Sequence, residues 1–102
     1  MSDKYVLDEA GNPVPCDNLL EWGRWFENAG SKRQVARDSV NGANVSTVFL
    51  GLDHSWGDGP PLLFETMIFG GPHDQYQERY STRAEAIEGH ARAVALAGEA
   101  AK

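Results

Sequence analysis

The chain has 102 residues, 41% of them hydrophobic and ten aromatic, which suits one compact domain with one core and argues against disorder. Nine Lys and Arg against fifteen Asp and Glu give a formal charge of −6. The cations are scattered, which argues against direct nucleic-acid binding by counterion release. Only Lys32, Arg33 and Arg37 approach a basic patch, and they read as a solvated strand surface.

Residues 1–16 read as an extended arm in which Tyr5, Val6 and Leu7 form a short edge strand, punctuated by Gly11, Asn12, Pro13 and Pro15. Asp17 is the expected cap of a helix over Asn18 to Asn28, with Leu19, Trp22, Phe26 and Ala29 on one stripe, Trp25 widening it and Gly30 as the stop. A hairpin follows. Its strands, Gln34 to Val40 and Ala43 to Leu52, flank Asn41-Gly42, two residues that tolerate positive φ. A third strand is expected over Leu62 to Phe69 and a short fourth over Tyr76 to Tyr80. Thr82 and Glu85 have the spacing of a capping box that opens the last helix. The helix's stripe is read as Ala84, Ile87, Ala91, Val94 and Gly98, with a tail frayed over 98–102.

These elements define a single α+β domain over 1–102: a three- to four-stranded antiparallel meander sheet with an N-terminal and a C-terminal helix, both helices on one face. The middle strands are apolar on both parities. Leu62, Phe64 and Ile68 oppose Leu63, Met67 and Phe69; Val45 and Phe49 oppose Val48, Leu50 and Leu52. A sheet with one wet face alternates instead. The second face is therefore expected to be covered, by the arm or by another subunit of a homodimer.

Ionisable residues interrupt this apolar frame. Asp53 and His54 close the second strand and open a nine-residue connection, long for a hairpin, that also holds Trp56 and Asp58. It reads either as a loop anchored by Trp56 and capped by Asp53 or as a binding rim. Glu65 lies mid-strand among apolar residues and needs a partner, for which Arg79 is the candidate. The sharper role for Glu65 is a base or ligand clamp. His90 borders the last helix's apolar stripe. Together with Tyr80 these residues make the candidate binding set: Asp53, His54, Trp56, Asp58, Glu65, Arg79, Tyr80 and His90. The spacing of His54, Glu65 and His90 matches no metal signature, so no metal or cofactor is assigned. Lone Cys16 cannot form an internal disulfide and has no neighbouring histidine to activate it. No catalytic motif is present, and Gly70-Gly71-Pro72 is too short to cradle a nucleotide.

The start of the chain lacks a signal peptide's basic and apolar regions, and no apolar run approaches the roughly 20 residues of a membrane span. A cytoplasmic protein is expected. The strings VSTVFLGLDH, PPLLFETMIFGG and RYSTRAEAIEGH, after YVLDEAGNPVPC and a tryptophan-rich helix, resemble a family of small proteins of tailed bacteriophages and prophages. These strings carry no known reaction. The family's last helix often opens RYSTW, where this chain has Arg83. The resemblance implies a phage accessory protein acting inside the bacterial host by binding a host protein or complex, including defence effectors such as CRISPR complexes. The competing reading is a small-molecule or nucleotide-binding protein, or weak hydrolase, with a polar pocket at the sheet. A virion or assembly component is a third class that no residue favours.

Overall fold

The computed structural model describes residues 3–55 and 57–99. The fold is α+β. In chain order it runs β1 (Tyr5–Leu7), β2 (Pro13–Pro15), α1 (Leu19–Ala29), a 3-10 turn (Gly30–Arg33), β3 (Gln34–Val40), β4 (Ala43–Phe49), β5 (Phe64–Phe69), β6 (Gln77–Tyr80) and α2 (Arg83–Glu99). Strands β3 to β6 form one antiparallel meander in sequence order, while β1 and β2 pair as a separate ribbon. The hairpin turn is as expected: Asn41 and Gly42 have φ of 50° and 83°. The capping box also forms, with Thr82 Oγ1 accepting from Glu85 N and a Glu85 carboxylate oxygen accepting from Thr82 N. The first helix is capped one residue later than expected, by Asn18, whose side chain accepts from Glu21 N at 3.0 Å. Helix α2 runs through Glu99, and the tail at 100–102 lies outside the described residues.

Strand β4 stops short of Leu52 because Gly51, at φ 80°, leaves the extended region. A side chain there would also collide with Phe26. The chain nevertheless runs on beside its neighbours. Leu50 N donates to Leu63 O and His54 N to Leu62 O, while Tyr5 N donates to Gly51 O and Asp53 N to Asp3 O. The arm thus lies in the plane of the sheet, alongside this continuation of β4. Tyr5 and Leu7 pack into the core rather than over the second face.

The helices are not equivalent. Helix α2 crosses β3, β4, β5 and β6, whereas α1 sits at the sheet's end against β1 and the 3-10 turn. It is fastened there by Trp22 Nε1 donating to Gly51 O at 3.0 Å and by Trp25 set edge-on against Phe49 at 5.7 Å. Arg33 lies 4.0 Å above the Phe26 ring. The expectation of two helices on one face therefore holds for α2 alone.

Helix α2 is also turned away from the expected stripe. Its buried residues are Ala86, Gly89, His90, Ala93 and Ala97, while Ile87 is 53% exposed. The face is rotated by one residue, about 100° at 3.6 residues per turn. Small side chains let the helix approach closely. Gly89 lies directly on the Tyr80 ring, which would occupy the space of any Cβ at that position. Below α2 are two apolar clusters, one around Val45, Ile68, Ala93 and Ala97, the other around Phe49, Leu63, Phe64, Tyr80 and Ala86. Each large side chain fully buried there contributes roughly 1.5–3 kcal/mol. Two polar pairs fasten the helix to the edge strands: Arg92 meets Glu78 of β6 at 2.6 Å, and His90, from within the stripe, meets Asp38 of β3 at 2.7 Å.

Gly89→Ala should therefore destabilise the protein by about 1–3 kcal/mol through overpacking, despite the better helix propensity of alanine. Urea denaturation measures this. Equal or greater stability in the variant would contradict the close seating of α2 on Tyr80.

Candidate functional site

The alternation of β4 and β5 divides their side chains between two unlike surfaces. Under α2 point Ala43, Val45, Thr47 and Phe49 from β4, and Phe64, Thr66 and Ile68 from β5, all buried. Register places Thr47 opposite Thr66 in the middle of the sheet, between the two apolar clusters. Both hydroxyls are inaccessible, so each must bond within the protein. Thr47 Oγ1 lies 2.5 Å from Thr66 Oγ1 and 2.7 Å from His90 Nδ1, and His90 Nε2 lies 2.7 Å from Asp38 Oδ2. With Asp38 as a carboxylate, Nε2–H donates to it. Nδ1 of a neutral ring then accepts from Thr47, which in turn accepts from Thr66. The histidine is 6% exposed and only Asp38 opens to solvent.

The Asp–His–Thr order imitates the relay that activates a hydroxyl nucleophile. Here Thr47 has no accessible surface, so no substrate carbonyl can be brought to it. The relay does structural work: it satisfies a polar row across the centre of the core and ties α2 to β3, β4 and β5. Tyr80 lies near its end. Its hydroxyl is buried and makes no hydrogen bond of ordinary geometry to the described residues. Burial, with the nearby Glu78 carboxylate adding to it, pushes the phenol up to about 12.

Among the described residues, no helix covers the other surface. Ser46, Val48, Glu65 and Met67 are half-buried and Phe69 is 45% exposed. Glu65 and Arg79 face each other across β5 and β6, as the sequence suggested. Glu65 Oε2 accepts from Arg79 Nε at 2.9 Å and from Gln77 Nε2 at 2.5 Å. The Glu65 side chain keeps only 13% of its surface accessible. Arg37 and Met67 both stand in the row of Ser46, so they share this face.

The eight sequence-designated residues therefore do not form one site. Glu65 and Arg79 lie on the open face; Tyr80 and His90 lie under α2 on the other. Asp53 closes its own loop, its Oδ1 accepting from Ser55 N at 2.8 Å and Leu62 N at 3.0 Å. These bonds, the one from Ser55 foremost, hold its carboxyl below the usual range. His54 continues the strand pairing through its backbone, and Asp58 sits exposed in the turn. Trp56 lies outside the described residues. Among those described, no three His, Cys, Asp or Glu side chains converge as metal ligands would. Asp38, Thr47 and Thr66 carried no motif. Their one signal was parity: two threonines at positions in step with buried Val45, Phe49, Phe64 and Ile68. No family model, curated protein or solved structure matches the chain.

Two outcomes follow from the buried row. Thr47→Val should lower stability by about 1–3 kcal/mol, since it strands His90 Nδ1, and Thr66→Val should cost less because Thr66 ends the chain of bonds. Urea melts of both variants compare them, and a reversed order would refute the central place of Thr47 between His90 and Thr66. Tyr80 sets an alkaline limit. Above pH 10 its phenol ionises in the unfolded chain but stays protonated in the fold until about 12, so the unfolded state holds fewer protons and stability falls across that interval. Tyr80→Phe should remove that component. Melts at pH 8 and pH 11 test this.

Proposed function

We propose that the protein is a non-catalytic binding module, a phage or prophage accessory protein that docks the open face of its sheet onto a host protein. One observation carries this reading: the partly exposed apolar side chains of Val48, Met67 and Phe69, in three successive rows of one face of a four-stranded sheet whose opposite face is sealed by α2. Exposed apolar surface held rigid by strands is what a protein partner can bury without ordering a loop. The polar residues around it define the partner's chemistry. Arg37 and Arg79 against Glu65 leave this face at a formal +1 on a chain of −6. The fitting partner surface is an apolar patch with an acidic rim, which the anionic remainder of the module would not itself attract. The resemblance to phage proteins supports a bacterial target, such as a component of a defence complex of the CRISPR kind.

The pocket reading has less support. Its proposed lining requires Glu65 and Arg79 to meet Tyr80 and His90, and the sheet stands between the two pairs.

Tagged protein expressed in a host bacterium should retain a stoichiometric protein partner. Phe69→Asp and Met67→Asp should release it at least tenfold more readily, while Leu20→Asp, on the exposed side of α1, should not. Thermal melts establish that each variant is folded. Equal retention by all three variants would move recognition off this face. A self-associated dimer lost on the same two substitutions would make the partner a second copy instead.

A further inference from the structure

A second feature of the surface is a cleft beside Trp25. The turn after β1, Trp25 of α1, the 3-10 turn, Gln34 at the start of β3 and Arg83 at the start of α2 line an open cleft of about 610 Å³. That lies within the roughly 300–1,000 Å³ of small-molecule sites. Trp25 forms one wall, its ring held edge-on by Phe49. A smaller cleft, about 180 Å³, flanks the same ring and is lined by Arg24 and Lys32.

Cations stand around this indole. Lys32 and Arg83 line the main cleft and Arg24 the smaller one. The ion pairs among the described residues are Lys4–Asp3, Arg79–Glu65, His90–Asp38 and Arg92–Glu78, so none of these three cations meets a carboxylate. Arg83 is part-buried and makes one long bond, 3.4 Å, to the carbonyl of Gly11. Gly11, at φ 85°, leaves the guanidinium its room, since a Cβ there would lie 3.0 Å from Nη1. Of the two acids in the lining, Asp8 is committed to its own turn, its Oδ1 accepting from Ala10 N and Asn12 N at 2.9 Å each. Glu9 is exposed and faces the cleft with no bonded partner among the described residues.

We propose that this cleft binds a mononucleotide, its base stacked on Trp25 and its phosphate held between Lys32 and Arg83. An indole beside unpaired cations suits a planar ring that carries an anion. A fork-shaped guanidinium and an ammonium on separate elements suit a phosphate, which offers acceptor oxygens in several directions. Glu9 can accept from the exocyclic amine of a base. Gln34 of β3 borders both this cleft and the open face, but Trp25, Lys32 and Arg83 lie outside that face, so the variants that test the two readings are different.

The test is titration of the full-length, isotope-labelled chain with adenosine monophosphate, adenosine and inorganic phosphate, followed by amide and indole NMR shifts. The monophosphate should shift the Trp25 indole together with Ser31, Lys32 and Arg83, and should bind at least tenfold more tightly than adenosine or phosphate. Lys32→Gln with Arg83→Gln should weaken it at least tenfold while the Thr66 and His90 amides stay in place, which shows the fold intact. Trp25→Phe should weaken it less than that pair. Absent shifts, shifts matched by phosphate alone, or undiminished binding by the folded double variant would each overturn the proposal.

Discussion

The depth at which α2 seats on the sheet governs the rest of the molecule. Gly89 brings the helix down onto Tyr80, and at that depth His90 reaches Thr47 of β4 and Asp38 of β3 together. Those contacts satisfy the hydroxyl row that would otherwise divide the core at a cost of roughly 1–3 kcal/mol per unpaired group. The same seating lets Arg92 reach Glu78 on the opposite edge strand. Arg92 holds the Glu78 carboxyl below its ordinary range, so this clamp is strongest where both groups are charged.

A sheet sealed so tightly on one face has consequences for the other. The reactive-looking groups under α2 are used up in holding the helix, and the Asp–His–Thr order is reproduced without access. Glu65 is engaged too, by Gln77 and Arg79, but on the side where Val48, Met67 and Phe69 remain half in water. The buried hydrogen-bonded row and the surface proposed for docking therefore fall on opposite parities of the same two strands. The arm joins this arrangement by prolonging the sheet, with Lys4 bridged to Leu52, and so leaves the open face open.

Much of the fold was legible in the chain because local chemistry decides it. Asn41-Gly42 must turn where positive φ is needed, Thr82 and Glu85 must cap, and Glu65 in an apolar strand must find a cation. The candidate site was legible only in parts. Of the two readings of Asp53, its bonds to Ser55 and Leu62 favour the turn cap over the binding rim, and Arg79 is the partner of Glu65 as expected. Tyr80 and His90 do not join Glu65 and Arg79: Tyr80 has the opposite strand parity to Arg79, and His90 reaches the sheet from α2 on its other face. The cleft beside Trp25 was not legible at all. Its walls come from four segments, spanning Leu7 to Arg83, that share no periodicity.

By itself, then, the order of residues determined the α+β class, the meander and the turn positions, since propensity, capping and φ preferences act over a few neighbours. The rotation of α2 was decided only in three dimensions. Hydropathy favoured Ile87 and Val94, yet the buried stripe is alanine, glycine and histidine. Close approach rewards the absence of bulk, and the partners that make His90 worth burying sit 43 and 52 residues away.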